Sequence, residues 1–147
     1  MTATAQVIAL AVAIVNGIAG LVAAFLWWRV DPRPFAWVLI RAGQAVAVLQ
    51  AIVAGVLAAG GLKPHDGLYW LYALLPVAVG FVAEQLRLTA AQTVLDAREL
   101  ESAQAVGRLP TAEQQSVVLQ IVRRELGVMA AAALVIAFLG LRAWGTV

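Results

Sequence analysis

Two ionisable side chains interrupt long apolar runs: Arg41 in VLIRAGQAVAVLQ and Glu84 in VGFVAEQLR. A charge held in hydrocarbon is costly, so each needs a partner or a function. Arg41 stands about two turns into its run, and Glu84 about one turn from the end of the next run. Successive spans are antiparallel, so the two reach similar depth in one leaflet. An Arg41–Glu84 ion pair is expected, with Gln44 and Gln85 completing its hydrogen bonds. Gln44 lies three residues from Arg41 and so shares its helix face. Such a pair is either a structural clasp, with Arg41 snorkelling toward headgroups, or a cation or proton site that opens when Glu84 is protonated.

Asn16 and Gln50 are the polar residues nearest mid-membrane. A bond between side-chain amides there would join the first and second spans and contribute about 0.6 to 2 kcal/mol. Lining a pore is the alternative.

The remaining chemistry is sparse. His65 is the one histidine, in the turn KPHDG beside Asp66. Two adjacent residues are not a metal-coordination set, and one histidine cannot supply bis-histidine haem ligation. Ser102 and Ser116 have no base in view. No phosphate loop or paired-carboxylate motif is present. Cysteine is absent, which removes disulfides, thiolate metal sites and thiol nucleophiles. No cofactor or metal site is expected, and catalysis is not; the one opening left is lipid chemistry at Glu84, Arg41 or Asp31.

The elements that position these residues are membrane spans. Hydrophobic residues make up 63% of the 147 and charged residues 12%; mean hydropathy is +0.91. Water-soluble domains are roughly a quarter charged, so this composition indicates a multi-pass membrane protein. Net charge is +2, with arginines spread along the chain, which gives no nucleic-acid-binding tract.

The expected fold is all-α: four spans at about 5–28, 35–59, 68–88 and 126–144 form a bundle, and 89–125 forms a cytoplasmic αα-hairpin. The first run has no basic segment before it, unlike a cleaved signal peptide. It stops at RVDPRP, where Pro32 and Pro34 break one helix and begin the next. Gly60-Gly61 closes the second run, and Asp66 is placed to cap the third.

Lys and Arg placement sets the orientation. With both termini outside, six arginines (29, 33, 98, 108, 123 and 124) lie inside, Arg87 at the inner edge, and Lys63 and Arg142 outside. Arg41 is within a span. Trp27, Trp28 and Trp37 then fall at the inner interface, and Trp70 and Trp144, with Tyr69 and Tyr72, at the outer one. A bacterial-type plasma membrane with both termini outside fits this pattern.

Two apolar stripes run along the polar island LTAAQTVLDARELESAQAVGRLPTAEQQSVVLQIVRREL, the first beginning just before it at Leu86. Leu86, Ala90, Val94, Ala97 and Leu100 make the first; Val117, Val118, Ile121 and Val122 make the second. One arm is expected to continue to Val106, with a turn at Gly107–Pro110. Thr111 and Gln114 match a capping box that opens the other arm. Such a hairpin would reach roughly 25 Å beyond the bilayer. The rival geometry lays an arm on the membrane surface, and Asp96, Glu99, Glu101 and Glu113 disfavour that against anionic lipid.

Pro76, with Gly80 one turn on, should bend the third span. Gly43, Ala47, Ala51, Gly55 and Ala59 make a small-residue track on the second span, and Ala13, Gly17, Gly20 and Ala24 one on the first. Close crossing of the first two helices is therefore expected.

No polar track crosses the whole membrane. The expected function is an assembly, scaffold or regulatory subunit that presents its hairpin to a protein partner or a second copy. The alternative is a homo-oligomeric channel or transporter for an ion or small solute, using Arg41/Glu84 and Asn16/Gln50. Membrane lipids are the other expected partners.

Overall fold

The computed structural model describes residues 1–147 and is all-helical: α1 Thr2–Arg29, α2 Pro34–Ala59, α3 Leu68–Ala97, α4 Ala103–Val106 and α5 Thr111–Thr146. Four of these, α1, α2, α3 and α5, are long and apolar enough to cross a membrane. The chain is thus consistent with an integral membrane protein.

The breaks between helices follow local chemistry. α1 ends with Val30 in the left-handed region at φ 56°, and the Asp31 N–H returns to the Leu26 carbonyl at 3.1 Å. Arg33, which precedes a proline, is extended, and Pro34 takes the first helical position of α2. At the other end of α2, Gly61 adopts φ 82° and the Leu62 N–H bonds the Leu57 carbonyl at 2.9 Å. That closure folds Leu62 back against Leu57 in a buried cluster. Asp66 acts at the start of α3: its carboxylate accepts the Leu68 N–H at 2.9 Å.

Two local expectations are corrected. The first arm stops at Ala97 instead of running to Val106. Glu99 takes φ 56°, the Leu100 N–H returns to the Leu95 carbonyl, and the one-turn helix α4 follows. Turning back seats Leu100 against Val94, Leu95 and Val117, and brings Val106 and Leu109 onto the same cluster. The capping box also does not form. Pro110, not Thr111, is the N-cap of α5, and no side chain bonds its first turn. Gln114 instead donates to the carbonyls of Leu109 at 2.8 Å and Gly107 at 3.2 Å, fastening the turn from within the helix.

α5 is the helix the others share, packing mainly against α1 and α3, while α2 packs chiefly on α1 and more loosely on α3. The core is built from small side chains. Ala23, Ala36, Ala83 and Ala130 meet Leu26, Ile40 and Met129 near one end; Ala5, Ala9, Ala54, Ala73 and Ala143 meet near the other. Large apolar side chains such as Ile18, Leu21, Val56, Phe81 and Phe138 point outward. This inversion of size suits lipid, where outward apolar groups cost nothing and association depends on close backbone approach.

The glycine contacts that meet a neighbouring backbone are between α1 and α5. A Cβ placed on Gly140 would lie 2.8 Å from the Ala13 nitrogen and 2.9 Å from the Ala9 carbonyl oxygen; one on Gly20 would meet Leu134 at 2.8 Å. The α1 track including Gly17, whose Cβ would sit 3.9 Å from Ala137, therefore serves α5. On α2 only part of the expected track is used. Gly43 and Ala47 are buried, Ala51 is half-buried, and Gly55 is exposed with nothing near it.

Candidate functional site: an ion-pair cluster between α2, α3 and α5

Arg41 enters from α2, Glu84 and Arg87 from α3, and Glu125 from α5. Arg41 NH1 donates to Glu84 Oε1 at 2.5 Å and to Gln44 Oε1 at 2.7 Å. Gln44 Nε2 donates to the same Glu84 oxygen at 2.8 Å, closing a three-membered ring of side chains. Arg87 Nε donates to Glu84 Oε2 at 2.9 Å, and its NH1 stands 3.9 Å from Glu125 Oε2. The Arg87 guanidinium also lies over the Trp37 ring, 5.7 Å from its centroid.

The structure thus brings together Arg41, Glu84 and Gln44, but not Gln85. Gln85 is exposed and makes no side-chain hydrogen bond. One residue along a helix turns the side chain by about 100°, which carries Gln85 away from α2. Arg87, three residues on, shares the Glu84 face and takes the place expected of Gln85. Sequence reasoning counted Arg87 only as a charge at the membrane edge, and did not find Glu125. One signal was available: Glu84–Arg87 is an i,i+3 pair on one helix face.

Electrostatically the cluster is self-contained. Two arginines face two glutamates, so their formal charges cancel. Both oxygens of Glu84 are engaged, Oε1 by Arg41 and Gln44, Oε2 by Arg87. A cation would have to displace these donors to reach the carboxylate. Arg41 is the outermost member, its side chain 51% exposed against 23% for Glu84. Beside the cluster a cavity of about 220 Å³ lies between α2 and α3, bounded by Val48, Val77 and Phe81, with Gln44 and Glu84 at one end. Pro76 and Gly80 line the same cavity, with Ile136 of α5.

Asn16 and Gln50 are both buried, and they do not meet. Asn16 Nδ2 donates to the carbonyls of Val12 at 3.0 Å and Gly43 at 3.1 Å, joining α1 to α2 through backbone. A Cβ on Gly43 would come within 2.5 Å of Asn16 Oδ1, so glycine is required for that contact. Gln50 Nε2 donates to the Ala73 carbonyl at 3.0 Å, joining α2 to α3. That carbonyl lies in the turn before Pro76, whose missing N–H already loosens the ladder. Gln50 Oε1 and the Tyr69 hydroxyl are buried without a hydrogen-bond partner.

Toward the segment that joins them, α3 and α5 are latched side by side. Arg98 Nε donates to Gln120 Oε1 at 3.1 Å and its NH2 to Ser116 Oγ at 2.9 Å. Val94, Leu95 and Val117 form a separate small core beneath, with Leu100, Val106, Leu109 and Ile121 packed on it. Arg123 Nε donates to the Trp27 carbonyl at 3.2 Å and stacks over the Trp27 ring, which seats a cation at the C-terminal end of α1. His65 and Ser102 are exposed. No three His, Asp or Glu side chains gather as a metal-binding group.

No protein-family model matches this chain, and neither the curated proteins nor the solved structures contain a match to it.

Proposed function

We propose that the chain is a non-enzymatic subunit of the plasma membrane, a scaffold or regulator whose α3–α5 extension forms a cytoplasmic docking arm. The observation that carries this reading is how the polar groups are spent. Within the spans, Arg41, Glu84, Asn16 and the Gln50 amide donor are taken up by other groups of the same chain. The extension keeps its polar residues outward around a core of its own.

Helix lengths support projection over a surface-lying arm. α5 has 36 residues without a break, about 54 Å, against roughly 30 Å of hydrocarbon. An arm lying on the membrane would need a bend where α5 leaves it. The arginine distribution supports a cytoplasmic extension with both termini outside. The four long helices then form a bundle around α5.

A transporter would need several copies around an axis, and Asn16, buried with its amide nitrogen bonded to carbonyls of α1 and α2, is poorly placed to line one. Purified chain reconstituted into liposomes, after its stoichiometry in detergent has been measured, should pass no proton or alkali-cation flux above empty vesicles. A flux abolished by Glu84→Gln would overturn the subunit reading in favour of transport.

A further inference from the structure

At the turn joining α1 to α2 the two helices open a cleft of about 500 Å³, separate from the ion-pair cluster. Leu21, Phe25 and Phe35 line its apolar part; Arg29, Asp31 and Arg33 stand at its mouth. Leu21, Phe25 and Arg29 recur every fourth residue on α1, so they share one face and cover roughly 12 Å along the helix. The apolar part therefore runs from the turn into the membrane-spanning length of α1.

The charges at the mouth are unevenly used. Arg33 sends Nε and NH2 to a single oxygen, Asp31 Oδ2, both at 2.8 Å. Arg29 makes no ion pair or side-chain hydrogen bond; its guanidinium lies over the Phe25 ring at 5.8 Å. Stacking of that kind holds the plane of the guanidinium and leaves its N–H edge open. Two arginines and one aspartate leave the mouth with one positive charge, which the single negative charge of a phosphodiester would bring to zero.

We propose that this cleft binds one anionic phospholipid of the leaflet that the α1–α2 turn faces. Its phosphate rests on Arg29 and the free edge of Arg33, and one acyl chain lies along Leu21, Phe25 and Phe35. A soluble anion gains nothing from the apolar wall, and a zwitterionic lipid gains little from the net positive mouth. An anionic amphiphile satisfies both. The site is independent of the proposed subunit role and can fail without it.

Native mass spectrometry of the intact chain, released from nanodiscs holding equal parts phosphatidylglycerol and phosphatidylcholine, tests this. One phosphatidylglycerol should be retained at least about fivefold over phosphatidylcholine, the factor one arginine near an anionic surface supplies. Arg29→Gln should bring the ratio near parity, while Arg142→Gln, which removes the same charge at the opposite end of the molecule, should leave it unchanged. Millimolar inorganic phosphate should not displace the lipid. The proposal is overturned by a wild-type ratio near one, which means annular lipid only, by an equal loss in Arg142→Gln, or by displacement with phosphate.

Discussion

Glu84 holds three donors at once, and two of them are arginines from different helices. Converting it to glutamine keeps the shape but leaves Arg41 and Arg87 facing each other without the charge between them. Glu84→Gln should therefore lower stability by about 2–3 kcal/mol, somewhat less than a fully buried pair loses because Arg41 is half exposed. Arg41→Gln/Glu84→Gln should recover part of that loss, as coupled residues do. Titration with SDS from a mild detergent reads both; a single variant within about 0.5 kcal/mol of wild type would show that the clasp is idle. Val30 is a second test at this scale. A β-branched residue at φ 56° is strained, so Val30→Gly should stabilise by about 1 kcal/mol in the same titration. Unchanged or lower stability would contradict the strain. At this scale the sequence was partly legible. Depth matching led from Arg41 to Glu84 and helical spacing to Gln44, but Gln85 was chosen for its proximity in sequence over Arg87 for its face. Asn16 and Gln50 were paired by depth alone, although depth carries no information about which neighbouring helix a side chain meets.

Helices in this chain are joined by small residues at a period the sequence tempts one to misread. A track at every fourth residue advances about 400° per step, so it drifts some 40° each time and leaves the contact face within a few steps. The buried face of α2 instead runs Ala36, Ile40, Gly43, Ala47, Gln50, Ala54 and Leu57, alternating fours and threes. That is the 3.5-residue repeat of helices that wrap one another. Gly55 falls off it, and Gly140, which no track contained, sits where α5 touches the α1 backbone. Gly140→Leu should thus cost at least about 2 kcal/mol, because backbone atoms cannot yield. Gly55→Leu should stay within about 0.5 kcal/mol, as a surface change does. SDS titration compares the two, and equal costs would contradict the α1–α5 crossing. Helix starts and stops were more readable than helix neighbours, since Pro34 and Gly61 act through their own backbone and Asp66 through a side chain that reaches only two residues on. The end of α3 escaped because it depends on Leu100 finding Val117, which lies across the turn.

For the molecule as a whole, hydropathy and length sufficed for four candidate spans, because the bilayer imposes one dimension on each. Which helix lies at the centre was not legible: α5 is no more apolar than α1, and its role follows from Gly140, Ala133 and Ala137 facing inward. The same helix is continuous with the segment latched by Arg98, so the proposed membrane position and the proposed docking arm depend on one helix. The absence of cysteine makes sidedness directly measurable. Single-cysteine variants Ser102→Cys, in the extension, and His65→Cys, in the α2–α3 turn, can be treated with a membrane-impermeant maleimide on intact cells. Modification of His65→Cys on whole cells and of Ser102→Cys only after lysis is expected; ready labelling of Ser102→Cys without lysis would contradict a cytoplasmic arm.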